Sequence, residues 1–203
     1  MMDVDINRRW SHYKESSEVN EERNDHKFET IDIDSESFDS ISNVYTNYLH
    51  GFSINVPQHW QVVEGFSNNA IISMVEPDSA VTFSVFSINN LEGYDSAYTL
   101  WEYYDSNQSI FEKDYKTSLE ESTEWPIDNF NFKKVLFLGS QSLKQEHIIK
   151  RKYNYVKSVS IIYVKHPHIY LFVTQVPIYF YEGNESRYLS LFDGINMNIG
   201  KNR

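Results

Sequence analysis

Gly51-Phe52-Ser53-Ile54-Asn55-Val56-Pro57-Gln58-His59-Trp60 is the stretch whose reading decides the fold. Phe52, Ile54 and Val56 alternate with Ser53 and Asn55, and a period of two sends one set of side chains to a buried face. Pro57 has no amide proton to give to a ladder, so the strand stops there. Trp60 follows where its ring can cover the strand end. Ahead of the stretch, His50-Gly51 reads as a turn and Val44 to Leu49 as the strand before it.

Downstream, extended pieces continue. Trp60 to Glu64 is short, Asn68-Asn69 turns the chain into Ala70 to Val75, and Pro77-Asp78 turns it into Ala80 to Ile88. Val81, Phe83 and Val85 share one face of that last piece. The period then changes. Ala97, Leu100, Trp101, Tyr104, Phe111 and Tyr115 recur at helical spacing, with Asp95 or Ser96 as N-cap, and the polar patch Asn107-Gln108-Ser109 leaves room for a break. After a polar loop through Trp125-Pro126, Phe130 to Leu138 is extended, with Phe132, Leu136 and Leu138 in phase. Gln145 to Val164 reads as one long strand with Ile149, Tyr153, Tyr155, Val159, Ile161 and Tyr163 in a stripe. His166-Pro167 turns it into Ile169 to Val173. Tyr188, Leu189, Phe192 and Ile195 then predict a terminal helix, with Gly194 near its end. The class is α+β, a mostly antiparallel sheet packed by helices. Residues 43–203 form one such domain.

Residues 1–42 read differently. Residues 1–43 hold 12 acids and 5 bases, net −7, and the remainder holds net −4 of the total −11. Sparse apolar residues and high charge predict a disordered acidic tail. Trp10, Tyr13 and Phe28 are aromatic hooks in an arm that could order on a partner.

The opening motif, Gly-Phe-x-Ile-x-x-Pro-x-x-Trp over Gly51 to Trp60, resembles that of the Mog1/PsbP-like superfamily. The order that follows, hairpin strands, a long amphipathic helix, a strand block and a terminal helix, is similar over residues 44 to about 199. The resemblance implies an αβα sandwich in which the motif residues are structural. It implies a binding module, since members include a GTPase-binding import factor, extrinsic photosystem subunits, envelope lipoproteins and effector chaperones. It does not choose among them.

Composition excludes several chemistries. With no Cys there is no disulfide, thiolate metal site, cysteine nucleophile or lipid-modified cysteine. The acidic balance argues against a nucleic-acid partner, which needs a basic stripe. No run is apolar enough to insert in a bilayer, and Met1 to Arg9 carries no signal-peptide pattern. A cytoplasmic setting is expected, or a periplasmic one if a leader has been removed. Phosphate-loop, dinucleotide, nucleophile-elbow and zincin motifs are missing, so no enzyme activity and no cofactor is expected.

The residues that could carry a site are few. Lys150-Arg151-Lys152 is the only basic cluster, and on a strand it would split, Arg151 to one face and Lys150 with Lys152 to the other. Tyr153 and Tyr155 lie beside it. Tyrosine offers contact area at low entropic cost, so Tyr153, Tyr155, Lys150 and Lys152 are the candidate binding residues. His166 and His168 are the candidate metal pair, two imidazoles that still need a third ligand. Glu146-His147 is not a catalytic pair, because neighbouring residues on a strand face opposite ways. The expected function is a non-catalytic protein-binding module, an adaptor or chaperone using its sheet face. Two alternatives are an acidic, immunity-type inhibitor of a basic partner and a small-ligand carrier with a closed apolar pocket.

Overall fold

A computed structural model describes residues 36–63, 70–88, 94 and 98–197. The expected tail lies outside the described residues up to residue 35. From Glu36 the chain is already in a strand, ahead of the boundary read at residue 43.

Among the described residues, eleven strands form two antiparallel sheets. β1 (Glu36–Asp39), β2 (Val44–Asn47), β3 (Phe52–Asn55) and β11 (Ile195–Asn196) make the small sheet in that order. The large sheet runs β4 (Gln61–Val63), β5 (Ala70–Glu76), β6 (Val81–Ile88), β10 (His168–Pro177), β9 (Tyr155–Lys165), β8 (Ser140–Lys150) and β7 (Ile127–Phe137). Every neighbour pair in it is antiparallel.

Helix α1 (Leu100–Thr123) covers one face of the large sheet over β7 and β8. Leu100, Tyr103, Tyr104 and Phe111 pack there with Leu143, Ile162 and Ile169. Tyr115 and Phe132 pack against the same cluster. The N-cap is Thr99 rather than Asp95 or Ser96. Its hydroxyl accepts from the Glu102 amide at 3.2 Å, and the Glu102 carboxylate accepts from the Thr99 amide at 2.8 Å. The helix runs unbroken through Asn107-Gln108-Ser109, where Asn107 Nδ2 donates to the Tyr103 carbonyl at 2.9 Å. Thr99→Ala is expected to cost about 1 kcal/mol, read as a lower urea midpoint with an unchanged slope.

The opposite face carries the second layer, built from the small sheet, α2 (Ile178–Tyr181), α3 (Glu185–Leu189) and a 3-10 turn at Phe192–Gly194. Phe52, Ile54 and Val56 are buried there with Met74, Phe83, Val85, Tyr163, Tyr170 and Phe172, as the opening motif predicts. The expected terminal helix is instead α3, the 3-10 turn and β11. The reason is tertiary. Ile195 and Asn196 pair with Ile54 and Ser53, so the last turn is drawn out into a strand beside the motif.

Two further corrections concern the strand block. Gln145 to Val164 is not one strand but the hairpin β8–β9, with Arg151 to Asn154 as its tip. Arg151 N donates to Asn154 O at 3.0 Å and closes the turn. In β7, Phe132 faces α1 and Phe137 the small sheet, while Leu136 stays 70% exposed. Leu138 lies beyond the strand in a two-residue turn with Gly139, both at positive φ of 51° and 77°. That geometry is the hairpin turn whose twist suits flanking strands, and it suits Gly139 far better than Leu138.

Candidate functional site

The candidate binding residues come together. Lys150 ends β8, Arg151 and Lys152 form the turn, and Tyr155 begins β9, with Tyr153 at the tip. Because the chain turns at Arg151, the expected splitting of the three cations across a strand does not arise. Tyr153 is 83% exposed and Tyr155 51% exposed, and the Lys152 ammonium lies 4.9 Å from the centre of the Tyr153 ring. Lys150 N donates to the Pro126 carbonyl at 3.0 Å, which brings the α1–β7 turn and its exposed Trp125 beside the tip. Lys150 also pairs with Asp128. The pair holds the Lys150 ammonium above its ordinary range, first through the hydrogen bond and then through the charge. Burial draws the Arg151 guanidinium below its usual range.

Tyr163, the remaining tyrosine of the expected stripe, is a core residue.

His166 and His168 flank Pro167 in the β9–β10 turn, and both are exposed. The fold brings a third imidazole, His50, from the β2–β3 turn to 5.8 Å from the His168 ring. Tyr170 Oη donates to the His50 carbonyl at 3.3 Å. Burial lowers the His50 pKa, and the charge of His168 lowers it further. Among the described residues no group of three His, Asp or Glu is arranged to hold a metal ion.

Glu146 and His147 face opposite sides of the sheet, as strand alternation requires. On one side Lys144 and Lys157 both reach Glu146, at 2.8 Å each. Burial pushes the Glu146 carboxyl up, but the two lysines bond to it and hold it at about 2.

On the side beneath α1 lies a polar square that sequence reasoning did not single out. Gln145 pairs across the strands with Ser160, and His147 with Ser158, and all four side chains are buried. His147 Nδ1 donates to the Gln145 amide oxygen at 2.9 Å, and Ser160 Oγ donates to the same oxygen at 3.3 Å. His147 Nε2 and Gln145 Nε2 are buried without a partner. Burial, with the Lys157 charge behind it, holds the His147 pKa at about 4. Burial also pushes the Tyr115 phenol, which meets Ser160 from α1, up to about 12. The available signal was Gln145 and His147 standing between Leu143 and Ile149 in the core-facing phase of β8.

A cleft of about 420 Å³ opens between the opening motif and α3, lined on one side by Asn55, Pro57 and Trp60 and on the other by Arg187, Tyr188 and Asp193. It is open and mixed in lining, and it does not lie between the large sheet and α1. It is therefore not the closed apolar pocket that a carrier would need. Among the described residues no helix is long and apolar enough to cross a membrane.

No protein-family model matches the chain, and no curated protein does. Solved structures do. The solution structure of cyanobacterial PsbP (CyanoP) from Synechocystis sp. PCC 6803 is 10% identical, with 85% of this chain and 98% of that one covered at a TM-score of 0.58. LpqN of Mycobacterium tuberculosis, described as involved in cell envelope biogenesis, is 7% identical over 72% of this chain and 79% of its own, at 0.41. A Bacteroides thetaiotaomicron structure is 14% identical over 72% and 45%, at 0.43. The CyanoP match covers most of this chain and shows that it has the α+β fold of that protein, with Phe52, Ile54 and Val56 of the opening motif in its core.

Proposed function

We propose that the protein is a non-catalytic protein-binding module whose contact surface is the β8–β9 hairpin tip. The supporting observation is the convergence of Lys150, Lys152, Tyr153 and Tyr155 on one exposed turn, backed by Trp125. Exposed tyrosines on a short hydrogen-bonded turn give large contact area with little rotamer entropy to lose on binding. The sheet face proposed from sequence is a poorer surface. Over the central strands β6, β9 and β10, one face packs in the α1 cluster and the other against the small sheet.

The test is affinity capture from the native host with the wild-type chain and with Tyr153→Ala/Tyr155→Ala, read by mass spectrometry. The wild type is expected to retain a partner that the double variant loses. Equal retention by both would remove the tip from the function. Turnover of a hydrolase substrate panel, abolished by a single carboxylate or histidine substitution, would overturn the non-catalytic reading.

A further inference from the structure

Resting on that reading, we infer that the partner presents an acidic protein segment to the tip, and that Asp128 acts as its built-in competitor. The tip is a local reversal of sign. In a chain of net charge −11, Lys150, Arg151 and Lys152 stand consecutively at one hairpin end, flanked by the exposed rings of Tyr153, Tyr155 and Trp125. A cationic spot on an anionic body attracts a short anionic segment and repels partners approaching in other orientations. The rings give the partner's aliphatic and aromatic groups a surface beside its carboxylates, and Lys152 over Tyr153 already shows the cation–aromatic geometry.

An extended nucleic acid fits this surface less well. Its phosphates need a row of cations along a groove or face. Here one of the three cations is paired and another is half-buried. A point-like tip suits a few carboxylates rather than a phosphate backbone.

The competitor is in the neighbouring strand. The pairing of β7 with β8 shifts between Asp128 and Asn131, where Asn129 has a positive φ of 49°. Asp128, just before this irregularity, reaches Lys150 on the end of β8. A carboxylate from a partner therefore takes a place at Lys150 that Asp128 holds in the free protein. Both members of the pair are well exposed, so the exchange meets little resistance.

The experiment uses the full chain and two labelled probes, a fluorescein-hexaglutamate peptide and a fluorescein-labelled oligothymidylate, followed by fluorescence anisotropy at low and high salt. Hexaglutamate is expected to bind, with affinity falling as salt rises. Lys150→Glu/Lys152→Glu is expected to weaken it about tenfold. Asp128→Asn is expected to strengthen it about threefold by freeing Lys150. All of these residues are exposed, and unchanged thermal melting confirms that each variant is folded. Absence of hexaglutamate binding, or binding indifferent to both variants, overturns the inference. So does oligothymidylate binding as tightly through the same lysines. If captured partners depend on Tyr153 and Tyr155 while hexaglutamate does not bind, the binding-module reading stands and the acidic-partner inference alone fails.

Discussion

Acidification from about pH 6.5 to about pH 4 is expected to remove about 3 kcal/mol of folding stability through one residue, His147. The sign follows from the two states. In the unfolded chain the imidazole titrates at its ordinary 6.5, whereas in the folded chain burial holds it at about 4. Between those values the unfolded state binds the proton and the folded state does not. The stabilisation is therefore complete above the unfolded value and is lost as the pH falls toward the folded one. The geometry gives the reason. His147 Nδ1 already donates to Gln145, so an added proton must go on Nε2, which is buried with no acceptor. The groups around it are Gln145, Ser158 and Ser160, and the charge acting on it is the cation Lys157. None of these welcomes a second positive charge. Urea unfolding of the wild type and His147→Gln at both pH values measures the effect, since Gln carries no titrating group. Wild-type stability should fall by more than that of the variant as the pH drops. Parallel losses would show that the polar square does not resist protonation.

Phe52→Ala should destabilise the fold by about 3–5 kcal/mol, a large part of the 5–15 kcal/mol that a domain typically has. Phe52 is fully buried, with its ring 6.1 Å from Tyr45 and 6.4 Å from Tyr170. Tyr45 belongs to the small sheet and Tyr170 to the large one, so Phe52 is a joint between layers as well as a core residue. Truncating it removes the aromatic contacts on both sides and leaves a cavity that two hydrogen-bonded sheets cannot readily close. Leu136→Ser is the control, because an exposed side chain on the edge strand should cost less than about 0.5 kcal/mol. Similar urea midpoints for the two variants would contradict the role given to the opening motif.

Much of this was legible from local pattern. Phe52, Ile54 and Val56 alternate so regularly, and Pro57 ends the run so firmly, that the strand and its buried face follow from backbone geometry alone. The helix from Leu100 and the turn at His166-Pro167 follow from period and turn chemistry in the same way. The candidate site was legible as residue types but not as an arrangement. Lys150 to Tyr155 were read as strand, and only the pairing of β8 with β9 turns them into a tip. Trp125 and Asp128 join the site through the Lys150–Pro126 backbone bond and the Lys150–Asp128 ion pair, which no local signal announces.

By itself the amino-acid order settled the opening strand, the strands that follow it to Ile88 and the long helix, because those depend on side chains two to four residues apart. Besides the β8–β9 tip, the tertiary structure alone decided three things. Ile195 and Asn196 left a helical pattern to pair with β3, since sheet pairing can outweigh a weak local preference. Gln145 and His147 met Ser160 and Ser158, and His50 met His168. Each of these contacts joins separate strands or turns, and chain pairing, which is set by packing the whole core, determines which residues meet.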